Sequence, residues 1–345
     1  MSKLLKKITV IALAFTMMSL CACGETAQQT ETPSTEPTEE KVIKTTEAEE
    51  ERYKSEETAE ELLARLADTE MIDIRDMTCK QLVSEQYLLH MTVLHDIMIV
   101  DGEIYYIQKI DSAPGDCVIQ HLGEDGLADS YMSLINFGQG MCVNAEKAAD
   151  GSIYFWVESN TNISSEGQTL SRIKWEPGKV YNNQGGQTWY FGQTDGSPYA
   201  AIDSENGLVC VRTNCNAGYR FSYYCLQDMI DGKNPEPIYE METALLTSTL
   251  DTSINPDKIG VGDYAFHGFA ISGKYIYQYF GKATQAISIA VYDMEGNAQY
   301  VYKLKDYADL VYREPDGMCI ADGQLYIGIT SGESSDRRAN VFVFE

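Results

Sequence analysis

Eight polar residues stand just before, or at the start of, apolar segments and have the side-chain types that bind polar ligands. Imidazole, amide, phenol, guanidinium and carboxylate groups supply directed donors and acceptors, which a sugar or a polyol phosphate needs for oriented hydrogen bonds. We therefore take these residues as candidate ligand-binding groups. The alternative, left open at this point, is that they hydrogen-bond to one another and hold neighbouring parts of the fold together. They are His95, Asp96, Gln139, Tyr199, His267, Arg313, Glu314 and Asp316.

Two carboxylates of this set raise a catalytic alternative. Asp96 and Glu314 would serve a glycoside hydrolase if their carboxyl groups lay about 5 to 5.5 Å apart for retention, or about 6.5 to 9.5 Å apart for inversion. One of them would also need a raised pKa in order to donate a proton. Spacing along a sequence does not set that distance, so we assign no catalytic residue and expect a protein that is more a binder than an enzyme.

A repeated β-hairpin must position the candidate residues. Five times between Leu88 and the C-terminus, an apolar run, a turn that contains glycine and a second, mostly aromatic, apolar run follow one another. Asp-Gly or Asn-Gly stands in four of the turns and Ser-Gly in the fifth. Asp-Gly and Asn-Gly favour a type I′ turn, which needs positive φ at both central residues. The turn glycines are Gly102, Gly151, Gly207, Gly273 and Gly323.

The spacing of these glycines predicts the fold. They are 49, 56, 66 and 50 residues apart, close to the length of a four-stranded propeller blade. The sequence therefore predicts an all-β, five-bladed β-propeller over residues 87–345, with the candidate residues around one mouth of its channel. The last blade lacks a strand, so we expect Tyr87–Val93 to pair with the C-terminal strand and close the ring. Residues 245–262 read as a long loop between blades.

The first 22 residues have the pattern of an export signal. Three lysines precede an apolar run from Ile8 to Met18, which is too short to span roughly 30 Å of hydrocarbon. Leu20–Cys23 resembles the bacterial lipobox, in which the final cysteine receives diacylglycerol before cleavage. We expect Cys23 to carry acyl chains such as palmitate and to anchor the protein on the extracytoplasmic face of the cell membrane. An ordinary secretory signal with two cysteines near the cut is the alternative.

Composition divides the segment between the signal and the propeller into two parts. Residues 23–57 are rich in Glu, Thr and Pro with few large apolar side chains, which predicts a disordered acidic tether. Residues 58–86 open with a capping box, Thr58–Glu61, and predict a helix from Thr58 to Ala67 followed by a lead-in to the first blade. We expect the apolar stripe of this helix to pack on the propeller.

Charge and cysteine content limit the partners. The chain has 52 acidic and 26 basic residues, and its net charge of −26 becomes −29 once the three lysines of the signal are removed. A surface of that sign repels nucleic acid, and an anionic ligand would need a local pocket. Seven cysteines follow Cys23 without a Cys-x-x-Cys pair, so we expect no metal site and no other cofactor. A bridge from Cys210 to Cys215 or Cys225 is an alternative to reduced thiols.

Five segments of the chain resemble the helveticin J and teichoic-acid-biosynthesis-protein-C group, over roughly residues 88–345. That group has a Gln-Gly-Phe/Met phrase before one blade hairpin and a Glu-Pro-Glu-Gly-Ile/Met phrase before another. Here His267 replaces the glutamine in one copy and Asp316 replaces the second glutamate. The resemblance implies a five-bladed propeller that acts at Gram-positive cell walls, and it implies no enzymatic activity. The segments are Gly138–Met141, Ile153–Glu158, Leu170–Trp175, His267–Ala270 and Arg313–Met318.

The export signal, the tether and the resemblance lead to one functional hypothesis. We expect a lipid-anchored, non-catalytic propeller that binds a cell-wall glycopolymer or another envelope protein. The glycoside hydrolase is the first alternative. A bacteriocin-like protein is a second and is disfavoured, because a lipid anchor would keep the chain on the cell that produces it.

Overall fold

The computed structural model describes residues 57–123, 125–162, 164–192, 196–215, 218–233, 236–244, 265–283, 287–304 and 309–345. The expected signal, Cys23 and all of the expected tether except residue 57 lie outside these ranges, as does the expected loop at 245–262. Among the described residues, no helix is both long enough and apolar enough to cross a membrane.

Short antiparallel strands make up most of the described chain. In chain order they are β1 (Cys79–Tyr87), β2 (Leu94–Val100), β3 (Glu103–Lys109), β4 (Cys117–Leu122), β5 (Ala128–Ile135), β6 (Asn144–Lys147), β7 (Ile153–Thr161), β8 (Gly167–Lys174), β9 (Val180–Asn182), β10 (Gln187–Trp189), β11 (Tyr199–Asp203), β12 (Leu208–Cys215), β13 (Gly218–Cys225), β14 (Tyr239–Ala244), β15 (Ala265–Ser272), β16 (Tyr275–Gly281), β17 (Ser288–Asp293), β18 (Ala298–Lys303), β19 (Glu314–Ala321), β20 (Gln324–Ser331) and β21 (Arg338–Phe344). Two helices, α1 (Ala59–Ala67) and α2 (Leu226–Ile230), and a 3-10 turn at Ile74–Asp76 accompany them.

The strands form five sheets, which confirms the predicted five-bladed propeller. Blade one has the order β2-β3-β4-β5-β9, and blade two has β6-β7-β8-β10. Blades three and four are β11-β12-β13-β14 and β15-β16-β17-β18, and blade five is β19-β20-β21-β1. Each predicted hairpin supplies the first two strands of one blade. Strand β9 pairs in parallel with β5, so blade one gains a fifth strand from the segment that follows β8.

The ring closes through the N-terminal strand, but not through the segment that we expected. Strand β1 pairs antiparallel with β21, from Cys79 opposite Phe344 to Tyr87 opposite Arg338. The expected strand Tyr87–Val93 is wrong, because most of that segment leads from β1 to the channel and is held by the Gln108 side chain. As the outermost strand of its blade, β1 is largely exposed, and so it lacks the apolar alternation by which a buried strand is recognised.

Two of the five hairpins have the type I′ geometry that the Asp-Gly pairs predict. Asp101 and Gly102 have φ of 57° and 78°, and Asp322 and Gly323 have φ of 48° and 70°. In blades two and three the turns are longer than two residues, since Lys147 pairs with Ile153 in one and Asp203 pairs with Leu208 in the other. The glycine therefore located every hairpin, but the turn length varies between blades.

Helix α1 packs on the propeller as predicted. The Thr58 hydroxyl accepts a hydrogen bond from the Glu61 amide at 3.2 Å, and the Thr58 amide donates to the Glu61 carboxylate at 2.8 Å, which is the predicted capping box. Leu62 and Leu66 are buried against apolar side chains of blades three and four. Arg65 adds hydrogen bonds to Asn206 in the first hairpin of blade three.

Apolar clusters fill the spaces between blades, and six of the seven described cysteines lie in these clusters or pack against them. All seven cysteines of the described residues are free thiols. Cys210 is fully buried and lies opposite Tyr223 on the neighbouring strand, so the alternative of a Cys210 disulfide is not found. Trp189 stacks on Trp156 with ring centroids 4.8 Å apart, which ties the outer strand of blade two to its core.

Candidate functional site

The central channel has two chemically different ends. The strands β2, β6, β11, β15 and β19 are the first strand of each blade. We call the end where they begin the mouth end and the end where they run into their hairpin turns the turn end. All eight candidate residues lie at the start of a first strand or in the segment that precedes it, so they belong to the mouth end.

Three first strands carry a β-bulge near the mouth end. In β2, Leu94 pairs with Gln108 but Asp96 pairs with Ile107, so one residue between them is extra. The same irregularity occurs in β15 and in β19. Bulges re-aim side chains and are frequent beside functional sites. The extra residues are His95 in blade one, His267 in blade four and Asp316, next to Gly317, in blade five. Three candidates thus take equivalent positions in blades four, five and one, which are neighbours around the ring.

The structure brings His95 and His267 together as neutral imidazoles. Burial, with nearby Lys109 and His267, lowers the pKa of His95 to about 3. Burial also lowers the pKa of His267 to about 4, although a hydrogen bond to the Gly281 carbonyl opposes this shift. The Nε2 of His267 lies 3.2 Å from that carbonyl oxygen. Because the carbonyl accepts, we assign the ring proton to Nε2, which leaves Nδ1 as an acceptor.

Asp96 joins blades and is fully buried. Its Oδ1 accepts from the Ile97 amide at 2.8 Å, and its Oδ2 accepts from the Val143 amide, just before blade two, at 2.8 Å. Gly317 of blade five has φ of +79°, and a Cβ atom there would lie 2.1 Å from Asp96 Oδ1. Burial raises the pKa of Asp96 well above its usual range, against the lowering effect of these backbone hydrogen bonds. Asp96 is enclosed, so it offers no face to a glycan in a pair with Glu314.

Glu314 and Asp316 are the two mouth-end carboxylates that the structure places near each other. Asp316 is 3 % exposed, and its Oδ2 has no hydrogen-bond partner among the described residues. Burial, followed by the nearby Glu314 carboxylate, raises the pKa of Asp316 well above its usual range, while hydrogen bonds from Thr330 oppose the shift. Glu314 and Arg313 are half-buried. A ligand at the mouth end would therefore meet Glu314 before Asp316.

Gln139 is held by a buried carboxylate that sequence reasoning missed. Glu158 accepts hydrogen bonds from the amides of Gln139 at 2.7 Å, Gly140 at 2.9 Å and Gly167 at 2.9 Å, and it also binds the Ser197 hydroxyl. The side-chain amide of Gln139 donates to the carbonyl of Ser165 at 3.1 Å. Glu158 thereby ties the lead-in of blade two to that of blade three. The sequence offered one indication of this role: Glu158 is a carboxylate in an otherwise apolar strand that follows the segment Gly138-Gln139-Gly140.

Tyr199 lies beside a second residue that sequence reasoning missed, Arg212. Tyr199 is opposite Arg212 in the pairing of β11 with β12, and its ring stacks on Phe266 of blade four with centroids 6.3 Å apart. The hydroxyl of Tyr199 approaches the sulfur of Met141 at 3.9 Å. Burial raises the pKa of Tyr199, so its phenol is neutral at pH 7. Tyr199 thus connects blades two, three and four at the mouth end.

The turn end holds an open cavity with carboxylates around it. The cavity has a volume of about 220 Å³ and is lined by residues of all five first hairpins. Lys147 pairs with Asp101 at 2.6 Å, and Glu146 pairs with Arg172. In the described part of the chain, no group of three or more His, Cys, Asp or Glu side chains has an arrangement that would hold a metal ion. The acidic lining residues are Asp101, Glu146, Asp203, Glu205 and Asp322.

The mouth end has the chemistry of a binding site for a polar ligand. It combines neutral imidazoles, a phenol among aromatic rings, a half-buried carboxylate and an arginine, and these groups supply donors, acceptors and stacking surfaces. Of the eight candidates, the structure brings together His95 with His267 and Glu314 with Asp316. Asp96 is instead engaged in a contact between blades, and Gln139 is engaged in contacts within blade two.

The sequence matches the family model described as the phage 5-bladed beta propeller receptor binding platform domain, over residues 96–343. Among solved structures, the tail fiber of Staphylococcus aureus phage P68 is similar with a TM-score of 0.62 at 18% sequence identity. The alignment covers 79% of this chain and 53% of the tail fiber chain. This chain thus spans about half the length of that relative, and at this identity the likeness concerns the fold alone.

Two other solved propellers have lower TM-scores than the tail fiber. An exo-beta-1,3-galactanase from Phanerochaete chrysosporium has a TM-score of 0.46 at 9% identity, with 77% of this chain and 64% of that chain covered. The WD40 domain of Toxoplasma gondii coronin has a TM-score of 0.38 at 10% identity, with 78% and 76% covered. Neither likeness bears on function, and no curated protein matches the sequence. The family model, by contrast, covers most of the chain and describes the fold that the five sheets form, and the chain therefore belongs to the family of phage five-bladed β-propeller receptor-binding platform domains.

Proposed function

We propose that this protein is a lipid-anchored, extracytoplasmic binding protein whose propeller holds a cell-envelope glycopolymer at the mouth end of its channel. The observation that carries the proposal is the pair of neutral imidazoles, His95 and His267, on equivalent strand bulges at that end. Neutral imidazoles act as donor and acceptor for hydroxyl groups without adding charge. A sugar polymer needs this kind of contact.

Membership of the family supports binding to a cell-surface structure, since the family is described by receptor binding. The resemblance to the helveticin J and teichoic-acid-biosynthesis-protein-C group supports a site of action at Gram-positive cell walls. The enclosure of Asp96 supports a binding role over hydrolysis, because one member of the expected pair of carboxylates has no free oxygen to act on substrate.

The anchor is part of the proposal and rests on the sequence near Cys23. Replacing Cys23 by Ala should release the protein from the membrane or stall its processing, because Cys23 is the residue to which the proposal assigns the acyl chains. Membrane fractionation and labelling with a fatty-acid analogue measure both effects. Cys21→Ala is the matched control and should be processed and anchored normally. Unchanged labelling of Cys23→Ala would refute the anchor.

Binding is tested with the chain lacking residues 1–22 on an array of wall glycans and peptidoglycan fragments. We expect the double variant His95→Asn/His267→Asn to bind at least tenfold more weakly, because each lost partner costs about 1 to 3 kcal/mol. His121→Asn is the control, since His121 lies at the blade-one rim and pairs with Glu103 and Asp129. Equal binding by both variants would contradict the site.

The array result also separates the polymer from a protein partner. If no glycan binds while photo-crosslinking at the mouth end of the full chain in cells captures an envelope protein, the ligand is that protein and the glycopolymer proposal fails. Release of reducing sugar from a bound glycan, lost in Glu314→Gln, would contradict the non-catalytic role.

A further inference from the structure

Arg212 is a buried cation without a counter-charge in the described structure. It is 3 % exposed, and its Nε is enclosed with no hydrogen-bond partner among the described residues. No carboxylate of the described ranges forms an ion pair with it. The groups that favour its charged form are Tyr219, Cys142 and Tyr199, and none of them is a carboxylate. Buried charges are ordinarily paired, because removing an ion from water costs several kcal/mol.

A second buried arginine shows the ordinary arrangement in the same molecule. The Nε of Arg172 donates to the Glu146 carboxylate at 2.6 Å, and its Nη1 donates to Gln187 at 3.2 Å. Its guanidinium also lies over the ring of Tyr154 at 3.6 Å. Arg172 therefore has both an aromatic face and a carboxylate, whereas Arg212 has the aromatic faces alone.

Three aromatic rings surround Arg212 at the interface of blades three and four. Its guanidinium carbon lies 3.5 Å from the ring centroid of Tyr219, 4.2 Å from that of Phe266 and 5.6 Å from that of Tyr199. These rings are half-buried, so the cage reaches the surface although the guanidinium is almost covered. Phe266 is the neighbour of His267 in β15, and the cage is therefore continuous with the mouth end.

We infer that Arg212 is an anion subsite that binds a phosphate or carboxylate group of a glycopolymer, an inference that rests on the proposed function. The planar guanidinium presents donors that match the oxygens of either group. Aromatic faces stack on sugar rings, and His267 offers an acceptor to a neighbouring hydroxyl. In a chain with a net charge of −26, a local cation is also the feature that an anionic ligand requires.

The first experiment uses inorganic phosphate as the probe. At constant ionic strength, balanced with chloride, phosphate at about ten times its Kd should raise the melting temperature of the wild-type chain lacking residues 1–22 by about 2 °C or more. Arg212→Met should lose this shift, whereas Arg172→Lys, the matched control, should keep it. Without phosphate, Arg212→Met should melt no lower than wild type, because an unpaired buried charge has been removed.

The opposite pattern would overturn the inference. If Arg212 only supports the aromatic stack, Arg212→Met will melt lower than wild type, and phosphate will act equally on both proteins. If Arg212→Met does not fold, Arg212→Lys replaces it in the test. Lysine retains the positive charge but lacks the planar set of N–H donors of the guanidinium. We then expect a phosphate affinity reduced about tenfold, and an unchanged affinity would contradict the subsite.

The second experiment distinguishes the source of the anion and separates this inference from the proposed function. Binding of poly(glycerol phosphate), polygalacturonate and neutral dextran is compared for wild type and Arg212→Met. A loss confined to the phosphate polymer or to the carboxylate polymer identifies the group. If an anionic polymer binds both proteins equally, the subsite is refuted and the proposed function stands. If no polymer binds but the phosphate shift still depends on Arg212, the subsite stands and the proposed function fails.

Discussion

The two ends of the channel are built from the same five strands, yet they differ in charge. At the turn end, the cavity is lined by five carboxylates with Lys147 among them. At the mouth end, the imidazoles are neutral, and burial raises the pKa of Asp96 and Asp316. Glu314 has Arg313 as its neighbour in the chain, and Arg212 adds a further cation. Because the whole chain is strongly acidic, the turn end follows the composition of the surface and the mouth end departs from it. A local departure from the general field of a protein is the better indicator of a ligand site.

The two ends also differ in how closely the strands approach. Near the mouth end, Gly317 packs against Asp96. A Cβ atom placed on Gly268 would lie 3.4 Å from the Cα atom of Gly317. Near the turn end, a Cβ on Gly102, Gly151 or Gly323 would meet nothing within 4 Å. The ring is therefore held together close to the mouth, and the bulges that carry the histidines stand beside this tight contact.

The largest expected effect tests that difference at two glycines of one hairpin. Gly317→Ala should lower the free energy of unfolding by at least about 3 kcal/mol, because the Cβ displaces Asp96 from its buried hydrogen bonds and the positive φ is itself unfavourable. Gly323→Ala, in the turn that follows the same strand, has a similar φ of +70° but open space, and should cost about 1 to 2 kcal/mol. Chemical denaturation of both variants measures the effect. Equal losses would show that the mouth end is no tighter than the turn end.

An intermediate effect concerns acid stability. His267 has a pKa of about 4 in the folded chain against 6.5 when unfolded, so between these values the unfolded state binds the proton and the free energy of unfolding falls as the pH falls. The free energy of unfolding that the chain loses between pH 7 and pH 5 should be smaller by about 2 kcal/mol in His267→Asn than in wild type. Urea unfolding at both pH values measures it.

The control for that prediction has the opposite sign. Burial lowers the pKa of His121, but hydrogen bonds to Asp129 and Glu103 outweigh it and raise the pKa overall. His121 therefore contributes stability below pH 6.5 that is lost as the pH rises through its folded pKa. His121→Asn should therefore lose more of its free energy of unfolding than wild type does when the pH falls. If the free energies of unfolding of His267→Asn and His121→Asn changed with pH in parallel, both pKa assignments would be contradicted.

The smallest effect is expected at the turn end. Asp101→Asn and Glu205→Gln should change the free energy of unfolding by no more than about 0.5 kcal/mol, since both residues are surface carboxylates. They should also leave binding at the mouth end unchanged, because the channel separates the two ends. Denaturation and glycan binding are measured on one preparation. A loss of binding would show that the turn end takes part in recognition.

The sequence was sufficient for the repeat but not for the site. Each turn glycine marked a hairpin, because few residue types other than glycine, asparagine and aspartate adopt the positive φ that these turns need. The closing strand β1 was missed because an exposed edge strand carries no apolar alternation. Bulges leave no trace in composition, so the equivalence of His95, His267 and Asp316 appeared only in the strand register. Arg212 was missed because its cage is assembled from two blades.

The path of the chain before the first blade has a mechanical consequence. Leu62 and Leu66 lie on blades three and four, Ile74 is buried between blades four and five, and β1 then completes blade five. The segment 59–87 is thus a strap fastened in series across three blades. A pulling force applied to residues N-terminal to α1 would load the helix contacts first, and the strand that closes the ring would bear tension only after those contacts had given way.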